Sequence, residues 1–157
     1  MLKIRFIVVD RTRSHFLKEG EIYYLERLRK YARVEWIEVK PVKIKKGRST
    51  EEILIEEGES IAKRFEPDDC LVTLDRSGRQ YDSEELAIWL NDLSTGVRGW
   101  ICFIIGGPLG LSKKILDQAH KVLSLSKLTL THEMTRLFII EQIYRAFTIL
   151  KGEKYHK

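Results

Sequence analysis

Short runs of β-branched and aromatic residues recur along the chain and predict five β-strands. Each run is rich in valine, isoleucine or phenylalanine and is bounded by charged, glycine or proline residues, a pattern typical of strands in a sheet. The predicted strands cover residues 3–9, 33–39, 70–75, 100–105 and 123–130. In the last of these, the strand pattern gives way to a loop.

Between the strands, apolar residues return every three or four positions, which is typical of amphipathic helices with one buried face. The predicted helices begin after Ser14, Ser49, Asp82 and Ser112 and at residue 133, in four cases behind a residue suited to the N-cap. The second and third caps are followed three residues later by glutamate, at the spacing of a capping box. The fourth helix is short and ends near Val122, whereas the fifth runs to residue 150.

Strand and helix therefore alternate five times, with short connections between them. This order predicts an α/β fold with a mostly parallel sheet flanked by helices. The chain has 157 residues, 43% of them hydrophobic, which is enough for one sizeable core. No linker, repeat or low-complexity tract divides the chain, so we predict a single domain over residues 1–157.

The net charge of +5 is unevenly distributed. Residues 1–50 hold 14 Lys and Arg against 6 Asp and Glu, residues 51–105 hold 5 against 13, and residues 106–157 hold 9 against 4. Basic ends thus flank an acidic middle. Such segregation suits a surface that docks on a polyanion, since phosphate neutralisation is the main sequence-independent source of affinity for nucleic acid.

The composition also narrows the cellular setting. No apolar run approaches the roughly 20 residues that a bilayer requires, and the charged residues Lys3, Arg5 and Asp10 are unlike a secretory signal. We therefore expect a soluble, cytoplasmic protein with no membrane partner. Cys70 and Cys102 each lie in an apolar run, which favours buried, reduced thiols over a disulfide or a metal site.

Three predicted loops follow strands three, four and five, at the edge of the sheet where open α/β folds bind ligands. Their sequences are LDRSGRQ (74–80), GGPLGLS (106–112) and LSKLTLTH (125–132). Gly106 and Gly107 directly after a buried strand allow the backbone to approach a ligand closely, although they also suit a tight turn without a ligand. These loops form the predicted site.

Several common catalytic motifs are missing from the sequence. The glycine spacing matches neither the dinucleotide motif nor the P-loop, which argues against a nucleotide-binding oxidoreductase. The four histidines are too dispersed for a zinc-protease motif, the two cysteines cannot form a metal clamp, and no nucleophile elbow occurs. We expect no metal. The remaining backbone groups and apolar side chains suit a bulky ligand with an adenine ring and an already activated group.

Three segments together resemble a known family: IIGGPLGLS (104–112), LSLSKLTLTHEMTR (123–136) and IEQIYRAFTILKGEKYHK (140–157). In these motifs and in length, the chain resembles the ribosomal RNA pseudouridine N3-methyltransferases of the SPOUT class. The resemblance covers essentially the whole chain. One departure is Leu109, where several family members carry an acidic or aromatic residue.

The resemblance implies a SPOUT-type α/β fold whose C-terminal part, roughly residues 70–157, forms a trefoil knot around S-adenosyl-L-methionine. It also implies a homodimer that methylates N3 of a pseudouridine in 23S rRNA of the large ribosomal subunit, with ribosomal RNA or the ribosome as partner. Carried over position by position, the cofactor-binding residues are Leu74, Gly106, Gly107, Leu125, Ser126, Lys127, Leu128, Thr129 and Leu130.

Four residues are candidates for the catalytic groups: His132, Arg136, Tyr155 and His156. Methyl transfer to nitrogen requires alignment, exclusion of water and removal of a proton, so a base or a cation near the acceptor would help. Arg136 is equally compatible with a solvated position on the first turns of the last helix. Tyr155 and His156 are also compatible with a frayed chain end.

Other residues keep simpler interpretations beside functional ones. The basic loop from Lys40 to Arg48 suits either RNA phosphate contact or solvated charge. Glu141 and Arg145 fit a surface ion pair, and Tyr144 fits a core position. The main alternative function is a non-catalytic RNA-binding or ribosome-assembly module of the same fold. A knotted tRNA methyltransferase is a second alternative, although such enzymes usually carry extra RNA-binding segments.

Overall fold

A computed structural model describes residues 1–157, and its centre is one five-stranded sheet. The strands are β1 (Leu2–Val9), β2 (Ala32–Val39), β3 (Cys70–Arg79), β4 (Ile101–Ile105) and β5 (Lys121–Leu123). Every neighbouring pair is parallel, and the order across the sheet is β2-β1-β4-β3-β5. This confirms the predicted α/β class; the knotted threading of the chain stays a prediction.

Five helices connect and follow the strands. They are α1 (His15–Leu28), α2 (Thr50–Ala62), α3 (Ser83–Gly96), α4 (Lys113–Gln118) and α5 (His132–Leu150). The Ser49 side chain accepts a hydrogen bond from the Glu52 N–H, and Asp82 forms a full capping box with Glu85. Both predicted caps are therefore confirmed, whereas Ser14 precedes α1 without a side-chain cap bond.

The sheet separates two hydrophobic cores, because successive side chains of a strand point to opposite faces. On one face Phe6 packs with residues of α1, α3 and α5, including Leu90 and Ile143. On the other face Ile7 packs with Ile61 of α2 and with residues of α4. Both faces of the parallel sheet are thus covered, as such sheets require.

The structure corrects three predicted boundaries. The fourth helix does not extend to Val122, because residues 121–123 pair with β3 as β5. The fifth strand begins two residues earlier than predicted, at Lys121, and the predicted change from strand to loop falls directly after Leu123, since Ser124 and Ser126 hydrogen-bond to backbone groups of residues 126 and 128 instead of extending the sheet. The predicted turn after residue 75 is an irregularity within β3 between Leu74 and Arg79.

The two cysteines are free thiols, Cys102 buried and Cys70 partly buried. Burial raises the pKa of Cys102 to about 12, and the neighbouring Asp69 carboxylate adds to the shift. The thiol is therefore protonated and inert at neutral pH, which fits the predicted role of a core residue. No helix combines the length and the apolar character needed to cross a bilayer.

Candidate functional site

The loops that follow β3, β4 and β5 line one cavity of about 720 Å³. Parallel strands bring their carboxyl ends to the same edge of the sheet, and β4, β3 and β5 are neighbours there. Eight of the nine residues predicted to bind cofactor line this cavity: Leu74, Gly106, Gly107, Leu125, Ser126, Leu128, Thr129 and Leu130. The ninth, Lys127, is exposed and lies outside the lining.

The turn after β4 brings the backbone to the cavity wall. A Cβ atom built on Gly106 would lie 2.3 Å from the carbonyl oxygen of Gly110, so only glycine fits there. The Gly110 N–H donates to the carbonyl of Gly107 at 3.0 Å, and Gly110 has a φ of 86° that favours glycine. The result is a tight turn whose backbone borders the cavity without side chains in between.

Serine side chains order the loop after β5. The Ser124 hydroxyl donates to the carbonyl of Ser126 at 3.1 Å, and the Ser126 hydroxyl accepts from the Leu128 N–H at 2.9 Å. The amide of Gln80, which follows β3, also donates to the Ser124 hydroxyl at 3.3 Å. These bonds tie two of the three loops together and satisfy polar groups that regular structure leaves unpaired.

His132 begins α5 and lines the same cavity. Burial lowers the pKa of His132, and the positive charge of Arg136, one helical turn further on, lowers it as well. Glu133 and Asp10 oppose the shift without cancelling it. The imidazole is therefore neutral at pH 7 and able to accept a proton, as a general base must.

Arg136 is fully buried and does not line the cavity, so a solvated position for it is wrong. Its guanidinium donates to the Thr12 hydroxyl at 3.0 Å and to the carbonyl of Val9 at the end of β1. Thr12 in turn donates to the buried carboxylate of Glu21 at 2.6 Å. Arg136 thus joins α5, the end of β1 and α1 directly behind His132.

Tyr155 and His156 pack on the protein but do not reach the cavity of their own chain. The Tyr155 hydroxyl donates to Glu141 at 2.9 Å and shares a hydrogen bond with Tyr24 at 3.2 Å. Burial and these bonds raise the pKa of the Tyr155 phenol, so it stays protonated. His156 lies between Arg145 and Glu84, at 3.3 and 3.6 Å.

The tail is therefore ordered rather than frayed, and Glu141 and Arg145 form the predicted ion pair, at 2.7 Å. The lining also contains Asp75 and Arg76, which lie in the predicted loop 74–80 without an assigned role, and Thr135, which sequence reasoning missed. Asp75 and Arg76 directly follow the predicted Leu74. Thr135 lies three positions after His132, on the same helical face, and this spacing was the signal that could have found it.

The fold and the cavity define an α/β protein with a candidate ligand site, lined by backbone turns and by both apolar and polar side chains, at the carboxyl ends of its strands. The family described as predicted SPOUT methyltransferase matches residues 2–156 of the chain. The chain belongs to the SPOUT methyltransferase family, which confirms the resemblance seen in its motifs.

Full-length relatives support this assignment. The chain is 43% identical over 155 residues to the ribosomal RNA large subunit methyltransferase H of Thermotoga neapolitana, covering 99% of both proteins. It is 38% identical over 159 residues to the protein of the same name from Bacillus pumilus, covering 99% of this chain and 100% of the relative.

Solved structures agree on the fold. A probable methylase family protein from Haemophilus influenzae matches with a TM-score of 0.59 at 17% identity, over 100% of this chain and 72% of that one. A probable methyltransferase from Bordetella pertussis matches with a TM-score of 0.52 at 13% identity, over 92% and 96%. At these identities, the likeness shows the fold alone.

Proposed function

We propose that this protein transfers a methyl group from S-adenosyl-L-methionine to N3 of a pseudouridine in 23S rRNA of the large ribosomal subunit. The observation that carries the proposal is the convergence of the loops after β3, β4 and β5 on one cavity. The family membership and the names of its full-length relatives support the same reaction class. Such an enzyme acts where ribosomes are assembled, in the cytoplasm.

The residues of the cavity fit the proposed cofactor. Its volume of about 720 Å³ lies within the range of roughly 300 to 1,000 Å³ usual for small-molecule sites. Leu74, Leu125 and Leu130 offer apolar contact for an adenine ring, and the Gly106 turn offers backbone polar groups at close range. Lys127 is the one carried-over residue that this geometry does not support.

When bound, S-adenosyl-L-methionine supplies a methyl group on a positively charged sulfur. The chain must then hold the acceptor base in line, keep water out and take up the proton of N3. The neutral imidazole of His132 borders the cavity and can accept that proton. Arg136 is a positioning residue in this scheme, since its guanidinium is fully buried behind His132.

We propose that the working form is a homodimer in which a second copy completes the site. Large apolar side chains near the cavity are exposed, with Leu128 at 77% and Phe16 at 71%. Met134 and Phe138 are also exposed and lie one turn apart on α5. A second copy on this face would cover them and would give Tyr155 and His156, which do not reach their own cavity, a route to the partner's cavity.

The experiment is methyl transfer from isotopically labelled S-adenosyl-L-methionine to substrate that carries the pseudouridine but lacks its methyl group, tested on free 23S rRNA, on large subunits and on whole ribosomes. Mass-spectrometric mapping should find one added methyl group on a single pseudouridine in at least one of these substrates. Calorimetry with the cofactor is measured in parallel. Heat without methyl transfer would contradict the proposed acceptor, whereas no heat would favour the non-catalytic module of the same fold.

A further inference from the structure

A cluster of basic side chains surrounds one tryptophan far from the cavity. Lys3, Arg5 and Arg33 place their charged groups 5.7, 4.5 and 5.4 Å from the centre of the Trp100 ring. Cations within about 6 Å of an indole face are attracted by its electron density. We call these four residues the Trp100 patch. Arg33 is exposed, and Lys3 and Trp100 are partly exposed, so the patch is open to solvent.

Only the innermost cation of the patch has carboxylate partners. Arg5 forms ion pairs with Glu35 at 2.8 Å and with the buried Asp69 at 3.1 Å. Asp69 also accepts a hydrogen bond from the Trp100 N–H of the backbone at 2.7 Å, which fixes the tryptophan beside Arg5. The charge of Arg5 is therefore already neutralised within the protein, and Arg5 has a structural role in the patch.

Lys3 and Arg33 have no such partners. Neither side chain has a carboxylate oxygen within 4.0 Å. The two residues are also direct neighbours in the sheet, since Lys3 of β1 pairs in register with Arg33 of β2. Like charges directly opposite each other on adjacent strands are unfavourable. The indole offsets part of this repulsion, and an anion bridging the two cations would remove the rest.

The patch lies at the opposite end of the sheet from the cavity. Lys3 is near the start of β1, whereas Val9 at its end lies 3.4 Å from the position of a Cβ on Gly107 at the cavity wall. Val9 is six residues further along the strand than Lys3, which corresponds to roughly 20 Å at about 3.3 Å per residue. A ligand of the patch is therefore a different group from the one that enters the cavity.

We propose that Lys3 and Arg33 bind phosphate groups of the substrate RNA at a point remote from the methylated base. The proposal rests on the proposed function, because a large RNA acceptor has phosphate groups at the distance that separates the patch from the cavity. Two unpaired cations held side by side suit a phosphodiester, and the neutralisation of phosphates by lysine and arginine releases counterions. The patch would thus add affinity for large RNA without contributing to cofactor binding.

The test compares the unaltered protein with the double variant Lys3→Gln/Arg33→Gln, using 23S rRNA that carries the pseudouridine but not its methyl group, at a series of KCl concentrations. The slope of log affinity against log salt should fall by about 2, since each phosphate contact contributes about 1. The affinity for S-adenosyl-L-methionine, measured by calorimetry, should stay unchanged. The KM for RNA should rise while kcat at saturating RNA is preserved.

A charge-conserving variant serves as the matched control. Lys3→Arg/Arg33→Lys keeps both positive charges and should keep most of the salt slope, which separates charge from packing around Trp100. An unchanged slope in the glutamine variant, with methyl transfer intact, overturns the inference about the patch alone. If the unaltered protein binds neither this RNA nor the cofactor, the proposed function itself fails together with this inference.

Discussion

Arg136 is a buried cation whose direct hydrogen-bond partners are uncharged. The Thr12 hydroxyl and the Val9 carbonyl accept its bonds, and the nearest buried carboxylate, Glu21, contacts it only through Thr12. Burial lowers the pKa of Arg136, while the charges of Glu21 and Glu133 oppose that shift. A buried charge of this kind is tolerable only while its partners remain in place.

Replacing Arg136 should therefore destabilise the fold strongly. Arg136→Met removes a buried cation that offsets the charge of Glu21 and leaves that carboxylate with Lys18, at 4.0 Å, as its cation. Removing one partner of a buried charge pair costs about 3–5 kcal/mol. Adding Glu21→Gln removes that stranded charge, so the double variant should lose less than the sum of the singles, by about 0.5–3 kcal/mol. Urea unfolding of the four proteins measures this difference; strict additivity would show that the two charges are not coupled.

His132 should set the acid limit of methyl transfer. Its folded pKa lies below the ordinary value of 6.5, so more than half of the imidazole is neutral at pH 6.5. The kcat/KM, which reports groups of the free enzyme, should keep more than half of its plateau value at that pH and fall as pH drops through the lowered pKa. His132→Ala should reduce kcat by about 10²- to 10⁴-fold, the usual contribution of a general base. A pH–rate profile with its acid midpoint above 6.5, or an alanine variant with unchanged kcat, would contradict this role.

At the scale of elements, the sequence predicted the long, periodic segments and the loop after the last strand, and it misplaced the exact boundaries of that strand. The capped helices beginning at Thr50 and Ser83 follow from local side-chain chemistry and formed as expected. The alternating sequence after Leu123 looks like a strand, but Ser124 and Ser126 fold it into a loop. The spacing of Thr135 from His132 places both on one helical face, but the packing of α5 turns that face toward the cavity, and no local pattern encodes this packing.

The turn after β4 should tolerate no side chain at its first glycine. In Gly106→Ala the new methyl group meets the Gly110 carbonyl at 2.3 Å, so the turn must shift away from its position at the cavity wall. A displacement on the 1 Å scale costs about 10²-fold in catalysis, and cofactor affinity should fall with it. Gly96→Ala is the control, because nothing lies within 4 Å of its Cβ. Calorimetry and circular dichroism of both variants separate local displacement from unfolding.

The whole molecule carries distinct surfaces at its two ends. The cavity and the exposed apolar residues near it lie at the carboxyl ends of the strands, whereas the Trp100 patch lies near their amino ends. A parallel sheet enforces this separation, because the loops that follow the strands lie at one edge and the segments that precede the strands lie at the other. The resemblance to a family supplied what periodicity could not, namely the identity of the ligand and the expectation of a second copy.

The exposed apolar face should be the dimer contact, and charge placed there should separate the copies. The Glu133 carboxylate accepts from the Arg13 and Ser14 N–H groups, so the start of α1, with Phe16, lies beside the start of α5. Phe16→Glu/Phe138→Glu puts two carboxylates on this face, and analytical ultracentrifugation should find monomers. Ile88→Glu, at a residue 61% exposed on α3, is the matched control and should stay dimeric.

Because Tyr155 and His156 do not reach their own cavity, the monomer should lose methyl transfer while it keeps its fold. A monomeric variant with full activity would show that one chain suffices, and a dimer that survives both substitutions would place the interface on another face.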